Sequence, residues 1–298
     1  MSPEKKLSVW FLGTSAFAVP TLEALVANPA FSVDLVITQP DRPVGRKQDL
    51  TSPPVKITAE QHDVQVIQPE NINSQFSILN SQFPQPDFLI VVSFGQILSD
   101  QILSIPKIAP VNLHASLLPR WRGASPLQHA ILSGDTESGV TVQKIVKELD
   151  AGPILAQEKV TLDPRETFTT LHDRLATLGA ALLIKTLTSP LHPVEQDQTK
   201  VTLCRTLKRA DGKIDHSTLP ASEIDRKVRG LNPWPGVTLI VNNQLLKLLE
   251  TSLEASMNSA ALACTQGTTL HLVTVQPAGG KAMSGSEWLR GKQPRQPK

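Results

Sequence analysis

The sequence of 298 residues contains no tyrosine, and aromatic residues make up only 4% of it. Its two cysteines, Cys204 and Cys264, form neither a metal-ligand spacing nor a disulfide framework, so we expect two reduced thiols. No apolar run approaches the length of a membrane span, and the run at residues 7–12 is too short for a signal peptide. We therefore expect a cytoplasmic globular protein with no membrane partner.

Two motifs of common binding sites are also missing. The first predicted strand ends at Gly13, Thr14 and Ser15 without the G-x-G-x-x-G pattern, so a dinucleotide site is poorly supported. The seven histidines are scattered and form no H-x-x-x-H or Cys/His cluster. We therefore predict no metal site.

The charge that is present is unevenly distributed. Residues 1–199 contain 15 Lys and Arg against 20 Asp and Glu, whereas residues 200–298 contain 14 against 7. A basic C-terminal part is typical of proteins that bind a polyanion, although a chance imbalance on an ordinary surface explains the composition equally well.

The hydrophobic pattern predicts an α/β protein of two domains. Strand, tight turn and helix at residues 7–26 open a doubly wound α/β unit, and residues 87–92 give the strongest buried-strand signal. After a polar linker at about 191–204, one helix and several short strands predict a small β-barrel. The predicted boundaries are 1–204 for the first domain and 205–298 for the second.

Residues 111–152 contain the strongest candidate for a catalytic site. Asn112 and His114 alternate on a predicted strand, so their side chains point to one face, and Asp150 lies in a turn before Gly152. An amide and an imidazole stabilise a developing oxyanion, and a carboxylate either orients the imidazole or takes up protons. With no activated serine or cysteine nearby, this set is suited to acyl transfer onto an amine. Taken alone, each of these residues is more often structural.

A second candidate site is the connection at residues 39–54, which has several prolines and no apolar periodicity. Arg42, Arg46 and Lys47 follow the end of a predicted strand within it. Long loops in compact domains are either functional or mobile surface excursions, and three basic residues favour binding of a phosphate-bearing substrate.

Several motifs in this order resemble the folate-dependent formyltransferases. They are NLHASLLP at 112–119, RG at 122–123 and LDAG at 149–152. Four further motifs are similar to those of the methionyl-tRNA formyltransferase family in particular, namely QPDRPVGR at 39–46, LPRWRGA at 118–124, LNPWP at 231–235 and QPAGGKAM at 276–283. The resemblance covers nearly the whole chain from about residue 11.

The resemblance implies a fold and a reaction. The fold is a Rossmann-like formyltransferase domain with a mostly parallel sheet, followed by a smaller OB-like β-barrel domain that binds tRNA. The reaction is transfer of the formyl group of 10-formyltetrahydrofolate to the amino group of methionine on initiator methionyl-tRNA, for translation initiation. The protein is expected to act as a monomer in the cytoplasm, with the folate as co-substrate and no metal.

The resemblance also assigns roles to residues. It implies that Asn112, His114 and Asp150 are catalytic and that Arg42, Arg46 and Lys47 contact tRNA. Phe17 is implied near the methionine. The residues implied to contact folate are Phe94, Gly95, Ser116, Leu117, Leu118 and Pro119.

Other functions are compatible with parts of the pattern. Related enzymes formylate a small amine such as glycinamide ribonucleotide or a nucleotide-linked amino sugar, and others hydrolyse formylfolate. A catalytically silent RNA-binding relative is a further alternative. The basic 39–54 connection and the basic C-terminal part favour a tRNA substrate, and the complete set of Asn112, His114 and Asp150 favours catalysis.

Overall fold

The computed structural model describes residues 6–45 and 48–291, which divide into two compact units. Of the described residues, the first unit holds those up to Gly123 together with Ser138–Val160 and His172–Leu203. The second unit holds Ala124–Glu137, Thr161–Leu171 and the residues from Cys204 onward. The change of unit after Leu203 falls beside the expected boundary, but two earlier segments also belong to the second unit.

The first unit is built on a mostly parallel sheet. Its strands are β1 (Leu7–Gly13), β2 (Phe31–Ile37), β3 (Arg42–Val44), β4 (Asp49–Thr51), β5 (Val66–Ile67), β6 (Phe88–Val92), β7 (Ala109–His114), β8 (Arg122–Gly123), β9 (Glu137–Lys144) and β10 (Ile154–Thr161). Within the described residues, seven strands form one sheet in the order β10-β9-β7-β6-β1-β2-β5. The five from β7 to β5 are parallel, and β9 runs antiparallel to β7. This confirms the α/β fold class.

Buried apolar runs explain the centre of this sheet. β1 and β6 lie side by side, and residues such as Trp10, Leu12 and Leu89 are inaccessible to solvent. Strands covered on both faces have continuous apolar sequences rather than alternating ones, as residues 87–92 do. The sequence predicts that the strand at 111–114 lies beside the strand at 87–92, and the pairing of β7 with β6 confirms this. The pairing brings both carboxyl ends to the same edge, where ligands bind in open α/β sheets.

The described residues contain eight α-helices, which occur in both units. They are α1 (Val19–Ala27), α2 (Pro54–Gln61), α3 (Phe76–Gln82), α4 (Asp100–Leu103), α5 (Pro126–Ser133), α6 (Phe168–Leu187), α7 (Ala221–Leu231) and α8 (Gly285–Arg290). Proline opens α2 and α5, where its missing N–H costs no helical hydrogen bond. The sequence pattern predicts helices that begin at residues 126 and 221, and both starts are confirmed. It also predicts a helix at 72–83, which instead begins with a 3₁₀ turn, Ile72–Gln75, before α3.

The connection at residues 39–54 is more ordered than the sequence indicated. β3 and β4 pair as an antiparallel hairpin, with Arg42 opposite Thr51. The expected loop without secondary structure was therefore wrong in part. The expected tRNA contacts Arg46 and Lys47 lie outside the described residues.

The second unit contains an antiparallel sheet that curls into a half-barrel. The strands from residue 203 onward are β11 (Leu203–Cys204), β12 (Val237–Val241), β13 (Gln244–Ser252), β14 (Ala260–Ala263), β15 (Thr269–Pro277) and β16 (Met283–Ser284). Five of these strands form the sheet: β12, β13, β15 and β14 lie side by side in that order, and β16 pairs with β15. The register of β13 on β15 shifts on both sides of Glu250, and irregularities of this kind bend a sheet. Ile224, Leu248 and Leu272 lie in the core between α7 and the sheet.

Candidate active site

The site begins with side chains on one face of two paired strands. Asn112 lies opposite Gln143 and His114 lies opposite Thr141 in the antiparallel pairing of β7 with β9. Directly opposed residues of an antiparallel pair point to the same face, and alternate residues of one strand do so too. The four polar side chains therefore share one face. Among the described residues, nothing hydrogen-bonds the half-buried amide of Asn112, so the amide is available to a substrate.

Asp150 reaches this face from the turn between β9 and β10. It adopts a left-handed backbone conformation (φ 51°), which aspartate tolerates better than most residues. Gly152 makes the turn possible because a Cβ atom there would lie 1.7 Å from the carbonyl oxygen of Lys144. The L-D-x-G pattern thus has a steric reason: only glycine permits this close approach of the turn to β9.

The Asp150 carboxylate is fixed by two donors. The backbone N–H of Gly123 donates to Oδ2 at 2.8 Å, and Gln143 Nε2 donates to Oδ1 at 3.1 Å. His114 Nδ1 lies 3.7 Å from Oδ2, too far for a direct hydrogen bond. Both side chains are nearly buried, with 7% and 11% of their surface exposed. The structure therefore brings the predicted imidazole and carboxylate together.

The tautomer of His114 follows from its other nitrogen. His114 Nε2 lies 2.9 Å from the carbonyl oxygen of Trp121, and a carbonyl only accepts hydrogen bonds. Nε2 therefore carries the hydrogen, which leaves the lone pair of the neutral ring on Nδ1, facing Asp150. Trp121 is held in a left-handed conformation (φ 61°), rare for a bulky residue, and the Arg120 guanidinium lies over its ring at 4.4 Å.

The predicted folate-binding turn follows β7 directly. Ser116 Oγ donates to the carbonyl oxygen of Arg120 at 2.6 Å, which closes the turn. Thr141 Oγ1 donates to the carbonyl of Ser116 and accepts from the N–H of Leu118. Gln157 Nε2 donates to both the Leu118 carbonyl and Thr141 Oγ1. Leu117 and Pro119 are half-buried. Contact of these four turn residues with folate stays a prediction.

Phe94 and Gly95 lie at the carboxyl end of β6. Phe94 is 2% exposed, its ring packs in the core, and its carbonyl oxygen accepts hydrogen bonds from Thr14 and Gln39. Both residues line a cavity of about 440 Å³ that also includes Arg42 and Ser15. Their predicted contact with folate stays untested, and this cavity places them with the hairpin arginine.

Arg42 lies at the base of the β3-β4 hairpin. Its Nη2 is 3.5 Å from Glu70 Oε2, and both side chains are largely exposed, so the pair contributes little to stability. Asp41 anchors the hairpin more firmly: hydrogen bonds from Gln68 and Lys56 hold the pKa of its carboxyl below the ordinary value. The guanidinium of Arg42 is therefore exposed to solvent, next to an aspartate that is held by two hydrogen-bonding side chains.

Phe17 is buried rather than exposed to the cavity. Its ring packs edge-on against His172, with the ring centroids 5.4 Å apart. The expected position of Phe17 near the methionine stays a prediction.

Several residues of the site were not found from the sequence. The sequence predicted no role in the site for four side chains, Thr141, Gln143, Gln157 and Gln196. Gln196 lies in the segment that was predicted to be a polar linker. A signal was present at two of the four, because Thr141 and Gln143 interrupt the apolar residues of β9 at alternate positions. Gln196 has no local signal, since its partners are distant in sequence.

The described residues contain no group of three or more His, Cys, Asp or Glu side chains placed to hold a metal ion. None of the helices in the described ranges is both long and apolar enough to cross a bilayer.

The chain is similar to known proteins along nearly all of its length. Two family models match it, "Formyl transferase" over residues 5–187 and "Formyl transferase, C-terminal domain" over residues 206–293. A methionyl-tRNA formyltransferase of Bacillus velezensis is 38% identical, over 95% of this chain and 94% of the relative.

Two solved structures share the fold at low identity. A methionyl-tRNA formyltransferase from Clostridium thermocellum aligns with a TM-score of 0.61 and 15% identity, over 91% of this chain and 98% of its own. A sugar 3N-formyl transferase, WlaRD, solved in the presence of dTDP and 5-N-formyl-THF, aligns with a TM-score of 0.66 and 18% identity, over 94% and 98%.

Proposed function

Because the chain belongs to the formyl transferase family, within the group of methionyl-tRNA formyltransferases, we propose that Asn112, His114 and Asp150 carry out its formyl transfer. The enzyme acts in translation initiation on methionyl-tRNA. The family uses formyl-tetrahydrofolate, and we propose 10-formyltetrahydrofolate as the donor and initiator methionyl-tRNA as the acceptor. The observation that carries the residue assignment is the position of the His114 imidazole between Trp121 and Asp150, on the same face as Asn112, whose amide has no hydrogen-bond partner among the described residues.

Asn112 fits the role of a hydrogen-bond donor to the formyl oxygen. The bound folate supplies an activated formyl carbon, and negative charge develops on the oxygen as an amine attacks. The side-chain amide of Asn112 has donors free of protein partners within the described residues, on the same face as His114. Removal of one such donor lowers the rate of acyl transfer by about 10²–10³.

His114 fits the role of the proton acceptor. The attacking amine loses one proton and the leaving folate nitrogen gains one, so one group that takes up and returns a proton is sufficient. Since Nε2 already carries a hydrogen for Trp121, the available lone pair is on Nδ1. Asp150, 3.7 Å from Nδ1, stabilises the imidazolium that forms. Of the two acceptors left open by the sequence, this geometry favours His114.

The tRNA is proposed to contact Arg42 and the basic C-terminal part. Arg42 lines the cavity at the carboxyl ends of the strands and has an exposed guanidinium. Residues 200–298 contain 14 Lys and Arg against 7 Asp and Glu, and phosphate contacts of this kind supply most of the affinity for nucleic acids. Contacts of Arg46 and Lys47 stay predictions, as do a monomeric state and a cytoplasmic location.

An assay that offers several amines tests this function. Purified protein and 10-formyltetrahydrofolate are incubated with charged initiator tRNA, with glycinamide ribonucleotide, or with a nucleotide-linked amino sugar. We expect formylation of the tRNA alone, abolished by His114→Ala while tRNA binding is retained. Faster formylation of a small amine would overturn the proposed acceptor, and appreciable turnover by His114→Ala would overturn the role of His114.

A further inference from the structure

We propose that Gln143 is a positioning residue for Asp150, and that the buried guanidinium of Arg122, acting through Gln196, sets the direction of its hydrogen bond. The inference rests on the proposed function, since it concerns how the carboxylate is presented to His114. It adds Gln143, Gln196 and Arg122 to the residues on which the reaction depends.

Gln143 is placed to hold one carboxylate oxygen. It lies on β9 directly opposite Asn112 and is 2% exposed. Its Nε2 is 3.1 Å from Asp150 Oδ1, while the N–H of Gly123 binds Oδ2. With one donor on each oxygen, the carboxylate cannot rotate without breaking a hydrogen bond. Its Oδ2 therefore stays on the side of His114 Nδ1.

The guanidinium of Arg122, which can only donate hydrogen bonds, fixes the direction of the hydrogen bonds that follow. Arg122 is buried, donates through Nε and Nη2 to Gln196 Oε1 at 3.0 and 2.8 Å, and cannot lose its proton. Gln196 therefore accepts with its oxygen and donates with its nitrogen, which lies 3.3 Å from Gln143 Oε1. The oxygen of Gln143 therefore faces a nitrogen, and the Asp150 carboxylate only accepts hydrogen bonds, so the nitrogen of Gln143 points to Asp150. If the amide of Gln196 or of Gln143 had the reverse orientation, its contacts would bring two donors or two acceptors together.

Gln196 also holds the backbone of the same turn. Its Nε2 lies 2.8 Å from the carbonyl oxygen of Asp150 and 2.7 Å from that of Gly152, so its two hydrogens are shared among three oxygens and the 3.3 Å contact with Gln143 Oε1 is the weakest of the three. Gln196 thus hydrogen-bonds the main chain of the turn, while Gln143 hydrogen-bonds the side chain of Asp150. Together they hold Asp150 in its left-handed conformation (φ 51°) with its carboxylate directed to the imidazole.

The central test is Gln143→Met, which keeps the length of the side chain and removes its donor. We expect kcat to fall about 10- to 100-fold, the range for loss of a hydrogen bond to a charged group. KM for 10-formyltetrahydrofolate and for charged tRNA should change by less than about twofold, because Gln143 is proposed to touch neither substrate. Gln143→Glu, which faces Asp150 with an acceptor, should lose more activity than Gln143→Met.

A double-mutant cycle separates positioning from packing. In the Asp150→Asn background, Gln143→Met should have almost no further effect on kcat, because Gln143 acts through the missing carboxylate. Asn73→Leu is a control: its amide makes two hydrogen bonds outside the site, to the backbone of Ile97 and Ser99, and its loss should leave kcat unchanged.

Several results would overturn the inference. One is a kcat of Gln143→Met within about twofold of the wild type; another is an equal loss with and without Asp150. If Gln143→Met fails to fold, Gln143→Leu is measured in its place by the same criteria. Wild-type protein that formylates nothing would instead refute the proposed function, so the two failures are distinguishable.

Discussion

Asp150→Asn tests the geometry of the site most directly. Both carboxylate oxygens accept a hydrogen bond, from Gly123 at 2.8 Å and from Gln143 at 3.1 Å. Asparagine replaces one oxygen with a group that only donates, so a donor must face a donor. An unsatisfied buried donor costs ~1–3 kcal/mol of stability, which lowers the unfolding temperature without preventing folding.

The larger effect is on the reaction. A unit charge on Asp150 Oδ2 at 3.7 Å from His114 Nδ1 stabilises the imidazolium by about 4.5 kcal/mol at an effective dielectric constant of about 20. If this interaction forms only as the proton is taken up, its loss slows the chemical step by about 10³-fold. The substrates do not sense it before reaction, so both KM values should stay within about twofold of the wild type.

The assay is single-turnover formylation of charged initiator tRNA at saturating 10-formyltetrahydrofolate, because this rate reports the chemical step rather than product release. Asp173→Asn is the control: Asp173 lies beside a histidine, His172, at 2.8 Å, but is 72% exposed. Its replacement should leave the rate unchanged. A single-turnover rate of Asp150→Asn within about tenfold of the wild type would refute the charge argument.

Three further predictions concern other parts of the molecule. Arg42→Ala should raise KM for charged tRNA about tenfold with little change in KM for folate, whereas Glu70→Ala should not; equal effects on both substrates would contradict the hairpin assignment. Lys208→Gln should reduce the slope of log K against log salt for tRNA binding by about 0.9 if this exposed lysine contacts a phosphate, and an unchanged slope would exclude that contact. Asp211 has its pKa lowered to about 2, chiefly by a hydrogen bond from Arg205, so its stabilising effect is present above about pH 4 and is lost as pH falls towards 2. Asp211→Asn should therefore lower the unfolding temperature at neutral pH but not near pH 2; a difference that is independent of pH would contradict this.

The sequence alone determined the class of fold and the chemical groups of the site. Apolar runs at β1 and β6 predict strands covered on both faces, and the alternation of Asn112 and His114 predicts two polar side chains on one face. Helix α7 was located from its pattern with both ends confirmed, because its amphipathic sequence is local information. These features depend on residues close in sequence, which is why they were predictable.

Only the tertiary structure decided how the site is held together. The register of β9 on β7 places Gln143 opposite Asn112, and the segment after α6 brings Gln196 to the Asp150 turn. Such contacts join residues that are distant in sequence, 74 positions apart for Arg122 and Gln196, and no local pattern specifies them. The side chains that are proposed to react were visible in the sequence. The side chains that orient them were not, because their role exists only once the strands are paired.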